Sequence, residues 1–113
     1  MKKIEAIIRP IKLEVVKSAL ADAGISGLTV SDVRGCGSGL SPSVESYRGE
    51  AFVIRMPPKV RLELTVKDDD VDPIIDLLIE HARTGQDGDG KIFVYPIDFC
   101  VRIRTGETGE SVL

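Results

Sequence analysis

The most regular pattern in the chain lies at residues 59–66, where Val60, Leu62, Leu64 and Val66 alternate with Lys59, Arg61, Glu63 and Thr65. A period of two sends successive side chains to opposite faces, so this segment is predicted as a strand with one apolar and one polar side. Residues 3–8 hold β-formers in partial alternation and are stopped by Pro10. From Leu13 onward, Val15, Val16, Ala19, Leu20 and Ala23 recur at helical spacing until Gly24 ends the run. Leu28, Val30 and Val33, interleaved with Thr29 and Ser31, predict a strand over 28–36 that runs toward Gly35 and Gly37. A second helix is predicted over 71–82, with Pro73 in its first turn. Asp68, Asp69 and Asp70 precede it, where carboxylates favour the positive helix end and supply an N-cap rather than a metal cluster. Residues 91–95 read as a buried strand and 99–103 as a final short one.

Residues 37–58 fit no element. Gly39, Pro42, Gly49, Pro57 and Pro58 stand there among serines. One reading is a structureless loop of about 20 residues, which in a small domain is functional or mobile. The other is a hairpin with Ser46-Tyr47-Arg48-Gly49 at its tip and 51–54 returning. Both put Tyr47 and Arg48 in solvent, where a flat ring and a guanidinium make anchors for a partner protein. The order is then strand, helix, strand, long insertion, strand, helix, strand, with one short strand added. Residues 3–8 before their helix look like 61–66 before theirs. Two such βαβ halves build an α+β, ferredoxin-like double βαβ sandwich, an antiparallel sheet with two helices on one face. All 113 residues form one domain. The sheet's other face stays uncovered and, if apolar, has to be buried by further copies, so an oligomer is expected.

Composition removes several classes. A chain with 42% hydrophobic and 29% charged residues is ordinary for a globular domain. Its net charge of −3 offers no basic footprint, so nucleic acid is not an expected partner. No apolar run reaches the roughly 20 residues of a membrane span, and the start lacks a signal-peptide pattern, so a cytoplasmic protein without membrane insertion is expected. Cys36 and Cys100 are far apart and His81 stands alone. These read as small buried thiols and an isolated imidazole rather than a disulfide or metal site.

The candidate chemistry is concentrated in Thr84-Gly85-Gln86-Asp87-Gly88-Asp89-Gly90-Lys91. Glycine lets backbone N–H groups converge on one point and lets a ligand approach the main chain. Arg102 and Arg104, two apart, would share one face of the strand predicted at 99–103. Loop amides, a lysine and two guanidiniums suit a polyphosphate. Ile92 after Lys91 breaks the Walker A order, and the dinucleotide fingerprint does not match either. A plain turn beside a solvated arginine face is the competing reading, and the motif alone does not choose between them.

Four blocks together do choose. Met1-Lys2-Lys3-Ile4-Glu5-Ala6-Ile7-Ile8-Arg9-Pro10, the Tyr47-Arg48-Gly49 tip, the loop and strand from Thr84 to Val94, and Arg102-Ile103-Arg104-Thr105-Gly106-Glu107 resemble the PII nitrogen-regulatory signal proteins over nearly the whole chain. The resemblance implies a homotrimer with ATP or ADP, and AMP as a further candidate, in clefts between subunits. It places the phosphate-binding B-loop on Gly88, Asp89, Gly90 and Lys91, and the phosphate-binding arginines on Arg102 and Arg104. Lys59 matches the lysine at the base of the long T-loop, facing the phosphates or a 2-oxoglutarate carboxylate. Gly35 and Gly37 match backbone positions by the ribose and phosphates, Ile7 and Thr29 the adenine pocket, and Glu63 and Thr65 the strand beside it. The T-loop, about 37–58, is implied to dock on a transporter, such as an ammonium channel, or on a metabolic enzyme of nitrogen or carbon metabolism.

Two departures bear on subtype. The family's T-loop glutamine, a magnesium ligand in 2-oxoglutarate binding, should fall near Gly39, where the chain reads Gly37-Ser38-Gly39-Leu40-Ser41-Pro42. Losing that amide oxygen counts against magnesium and 2-oxoglutarate as ligands. Phe52 stands where some members carry the tyrosine that is uridylylated, and it has no hydroxyl to modify. The expected function is therefore a nucleotide-sensing regulator and not an enzyme. A slow ATPase and a trimeric metal-binding protein of the same architecture are the alternatives.

Overall fold

The computed structural model describes residues 1–35, 43–47, 50–54 and 56–113, with backbone alone for 43–47 and 50–54. Strand β1 (Lys2–Ile8) runs antiparallel between β5 (Pro58–Val66) and β6 (Lys91–Pro96), while β2 (Thr29–Arg34) pairs with the far side of β5. The sheet order is β2-β5-β1-β6. Helices α1 (Leu13–Asp22) and α2 (Val71–Ala82) cover one face. Gly24 takes φ +86 just past the end of α1, a backbone state in which its lack of a side chain is useful.

The alternation in β1 and β5 decides which face is covered. Ile4, Ala6 and Ile8 with Val60, Leu62, Leu64 and Val66 are buried against Val16 and Leu20 of α1 and Ile74, Leu78 and Ala82 of α2. This is the expected ferredoxin-like α+β arrangement. The insertion after β2 contains the hairpin: β3 (Ser43–Tyr47) pairs antiparallel with β4 (Glu50–Ile54) in a two-stranded sheet of its own. Tyr47 closes β3 opposite Glu50, whereas Gly37, Arg48 and Gly49 lie outside the described residues.

Several expectations are corrected, beginning with 91–95, which forms β6 but as an edge strand with Phe93, Val94 and Tyr95 exposed rather than buried. No strand forms at 99–103; a single bridge joins Val101 to Thr108. The intervening backbone folds on itself, with Arg102 N–H donating to the Glu107 carbonyl and Gly106 N–H to the Arg102 carbonyl, each at 2.8 Å. Arg102 and Arg104 thus belong to a turn and do not share a strand face. The acidic triplet supplies no side-chain cap either. It forms one 3-10 turn, and Asp70 already has helical backbone angles, whereas a capping residue needs an extended one. Asp68 instead accepts from the Met1 amino group at 2.9 Å.

The uncovered face is also less apolar than an oligomer built on greasy burial would need. Register places Lys3, Glu5 and Ile7 between Arg61, Glu63 and Thr65 on one side and Lys91, Phe93 and Tyr95 on the other. Glu63 bridges Lys3 at 2.6 Å and Arg61 at 3.1 Å, and Arg61 donates to the Ser31 hydroxyl at 3.2 Å. A charged row therefore crosses three strands, with Phe93 and Tyr95 half exposed beside it.

Leu62 is fully buried at the centre of β5, facing both helices. Truncation to alanine leaves a cavity that rigid neighbours cannot fill. Leu62→Ala is expected to destabilise the chain by about 2–5 kcal/mol, read as a lower urea midpoint at fixed protein concentration.

Candidate functional site

Strand register brings four chain segments to one end of the sheet. Ile8 pairs with Val60, Ile7 with Lys91, and Arg34 with Pro58. The residues just beyond these rungs are Arg9, Gly35, Lys59 and the glycine-rich loop that leads into β6. The chain passes so tightly here that a Cβ on Gly90 would overlap the Ile7 carbonyl. Gly88 and Gly90 both sit at φ +100, which side-chain-bearing residues rarely adopt.

Asp89 organises the loop from within. Its carboxylate accepts from the Thr84 amide at 2.8 Å, the Thr84 hydroxyl at 2.6 Å and the Gly85 amide at 2.9 Å. The Arg9 Nε donates to the same carboxylate at 2.9 Å, and Arg9 Nη2 donates to the Asp87 carbonyl at 2.7 Å. The Thr84 hydroxyl first, then the Arg9 guanidinium, hold the Asp89 carboxyl well below the usual carboxylate range. Lys59 reaches in from the strand side and donates to the Gly88 carbonyl at 2.6 Å. Its ammonium is pushed below its ordinary pKa, chiefly by desolvation and next by the neighbouring Arg9 charge. Gly35 rests 3.8 Å from the Lys59 stem where a Cβ would be, and its amide donates to the Pro57 carbonyl at 3.2 Å.

Ile7, Gly35, Lys59, Gly88, Asp89, Gly90 and Lys91 therefore gather in one place. Asp87 and Gly88 form a tight turn within this loop, and Gly88 and Gly90 keep its main chain bare of side chains. A glycine loop gathered with Lys59, Lys91 and Arg9 suits an anion with several oxygens.

The remaining candidates lie elsewhere on the chain. Thr29, Glu63 and Thr65 line a cleft of about 540 Å³ together with Leu28, Phe99 and Cys100. Glu63 has its oxygens held by Lys3 and Arg61, and its pKa is lowered mainly by the Lys3 hydrogen bond. Arg102 is 3.5 Å from Glu107 within its own turn, and Arg104 is exposed. No ion pair or hydrogen bond among the described residues ties either arginine to the glycine loop.

Arg9 is the residue that sequence reasoning missed. Its partners lie 78 and 80 positions away, and nothing local marks an arginine before a proline as their ligand. Only the strand pairing reveals it: Arg9 follows β1, and β1 pairs with the strand that the loop leads into.

A small α+β chain with a ferredoxin-like sheet, a separate two-stranded hairpin inserted between β2 and β5, and a glycine-rich loop before β6 sets the frame for the comparisons. The family model described as nitrogen regulatory protein P-II matches residues 1–107. Relatives include the nitrogen regulatory protein P-II of Pasteurella multocida at 49% identity and that of Haemophilus influenzae at 50%, each over all of both chains. That of Synechocystis is 52% identical, again over the whole of both. The chain belongs to the nitrogen regulatory P-II family. No helix among the described residues is long and apolar enough to cross a membrane.

The depressed Asp89 carboxyl sets a pH dependence. A lowered folded-state pKa contributes stability above the unfolded value, near 3.8, and loses it as pH falls through the folded one. The Thr84 and Gly85 amide resonances are expected to hold steady from neutral pH down through the ordinary carboxylate range and to shift only below it. Asp89→Asn should abolish that late transition.

Proposed function

We propose that this chain is an adenine-nucleotide-sensing signal protein. ATP or ADP, with AMP as a weaker candidate, sits with its phosphates on the 84–91 loop. The observation that carries this reading is the gathering of the positive-φ glycine loop with Lys59, Arg9 and Lys91 at one end of the sheet. A single neutral ligand does not need that much positive charge, whereas a polyphosphate does.

The base-side residues Thr29, Glu63 and Thr65, and the arginines Arg102 and Arg104, are separate from the loop within one chain. Two copies side by side can supply both halves, which supports a ring of identical subunits with nucleotide in each junction. The sheet offers two free edges, β2 and β6, and head-to-tail contacts that close produce a ring. Membership of the P-II family supports a ring of three.

Gly35 and Lys59 stand where the insertion leaves and rejoins the sheet, so ligand at the loop contacts the hairpin's base directly. ATP and ADP shift the hairpin only if they contact that base differently, which makes Lys59 the sensor. The hairpin, with Tyr47, Arg48 and Gly49, then docks on a transporter or a metabolic enzyme. Magnesium and 2-oxoglutarate are left out of this reading because no glutamine stands near Gly39. A hydrolytic role for Asp89 is not supported, since four donors already engage its carboxylate and fix its direction.

Calorimetric titration with ATP, ADP and AMP tests the reading. Lys91→Ala and Arg104→Ala are each expected to weaken ATP by about 1.5–3 kcal/mol, the size of one charge-assisted hydrogen bond. Unchanged affinity in both removes the site. Arg48→Ala should leave nucleotide affinity intact while abolishing capture of an ammonium channel or other partner in a pull-down.

A further inference from the structure

We infer that Arg9 is the positioning residue of the glycine loop, acting on the ligand through Asp89 and the Asp87 carbonyl. The inference rests on the nucleotide-binding reading above and specifies what makes that loop competent.

The loop has an inherent difficulty. Gly85, Gly88 and Gly90 all occupy positive φ, at 90°, 100° and 100°. Glycine loses more conformational freedom on ordering than any other residue, so such a segment holds one shape only where cross-links outweigh that cost. Asp89 provides three of them inside the loop, from Thr84 and Gly85. These bonds close the loop on itself but do not attach it to the sheet.

Attachment comes from two cations, Lys59 on β5 and Arg9 just past the end of β1. Lys59 takes the Gly88 carbonyl, and Arg9 takes the residues on either side, Asp87 through its carbonyl and Asp89 through its carboxylate. Gly88 is thus fixed from both flanks, and its carbonyl is pulled toward Lys59. The planar guanidinium fork can bridge two acceptors at once, which an ammonium on a flexible stem does less well.

Arg9 also solves an electrostatic problem. Asp89 places a full negative charge in a loop meant to receive an anion, and the low-dielectric environment of a closed cleft would make that repulsion expensive. The Arg9 guanidinium at 2.9 Å neutralises it. Its Nε and Nη2 are committed to the loop, so the residue serves the ligand by holding and discharging the loop.

The test compares Arg9→Gln and Arg9→Lys, in the wild-type and the Asp89→Asn backgrounds. ATP affinity is measured by calorimetry on the full chain, and hydrogen exchange of the Gly88 and Asp89 amides is measured without ligand. Arg9→Gln should weaken ATP by about tenfold or more and speed exchange at both amides, while the unfolding midpoint changes little. Arg9→Lys, which keeps the charge but loses the fork, should recover only part of the affinity. In the Asp89→Asn background the Arg9→Gln substitution should cost no more than about threefold, because the two residues act as one unit.

Affinity within twofold of wild type in Arg9→Gln, or the same loss in both backgrounds, overturns the inference, the second result marking a direct ligand contact. If Arg9→Gln does not fold, Arg9→Lys in the two backgrounds decides by the same comparison. A wild-type chain that takes up no ATP ends the nucleotide reading itself. A wild type that binds ATP beside a variant that binds equally ends only the role given to Arg9.

Discussion

The pass of Gly90 over the Ile7 carbonyl is the constraint on which the rest depends. It is permitted only because no Cβ stands there, and it fixes where the glycine loop meets β1. Once β6 starts opposite Ile7, the loop before it must lie beside the residue after Ile8, which is Arg9. The same register brings β5 to its beginning and β2 to its end at that place, and so delivers Lys59 and Gly35. One tight backbone contact, together with the β1–β5 and β2–β5 registers, thereby brings Arg9 and Lys59 to the loop.

Much of this was legible in the chain. Strict alternation over 59–66 predicts β5 and its buried face, because a half-covered strand forces that pattern. Helical spacing after Leu13 and before Ala82 predicts α1 and α2 for the same kind of reason. The glycine loop announces itself by composition. Where reading failed, the failure has a cause. Phe99, Val101 and Ile103 alternate as a strand would, yet Ile103 is 99% exposed and Phe99 67%, so the apolar side chains face outward from a locally bonded turn. Alternation reports where side chains point and is silent about whether a neighbouring strand exists. The aspartate triplet failed differently, since composition there did not reveal that Asp70 would enter the helix with helical angles. Arg9 failed because its meaning is entirely tertiary.

The two faces of the sheet divide the labour. On the helix side, burial of aliphatic residues from both helices and two central strands supplies the stabilising area. On the open side, Ser31, Arg61, Glu63 and Lys3 link side chain to side chain across β2, β5 and β1. Solvent-exposed pairs of this kind add little stability, so their arrangement serves matching rather than adhesion. The ion pairs to Lys3 and Arg61 hold Glu63 at the edge of the cleft that it lines with Thr65.

The hairpin's separate ladder has a mechanical corollary. β3 and β4 share no rung with the four-stranded sheet, so a load applied at the tip enters the body along two adjacent rods, β2 and β5. Their final rung is Arg34 against Pro58, and Lys59 is the very next residue on the second rod. A force carried down either rod would therefore reach, at the sheet, the side chain that grips Gly88, so the rod ends and the loop share one short lever.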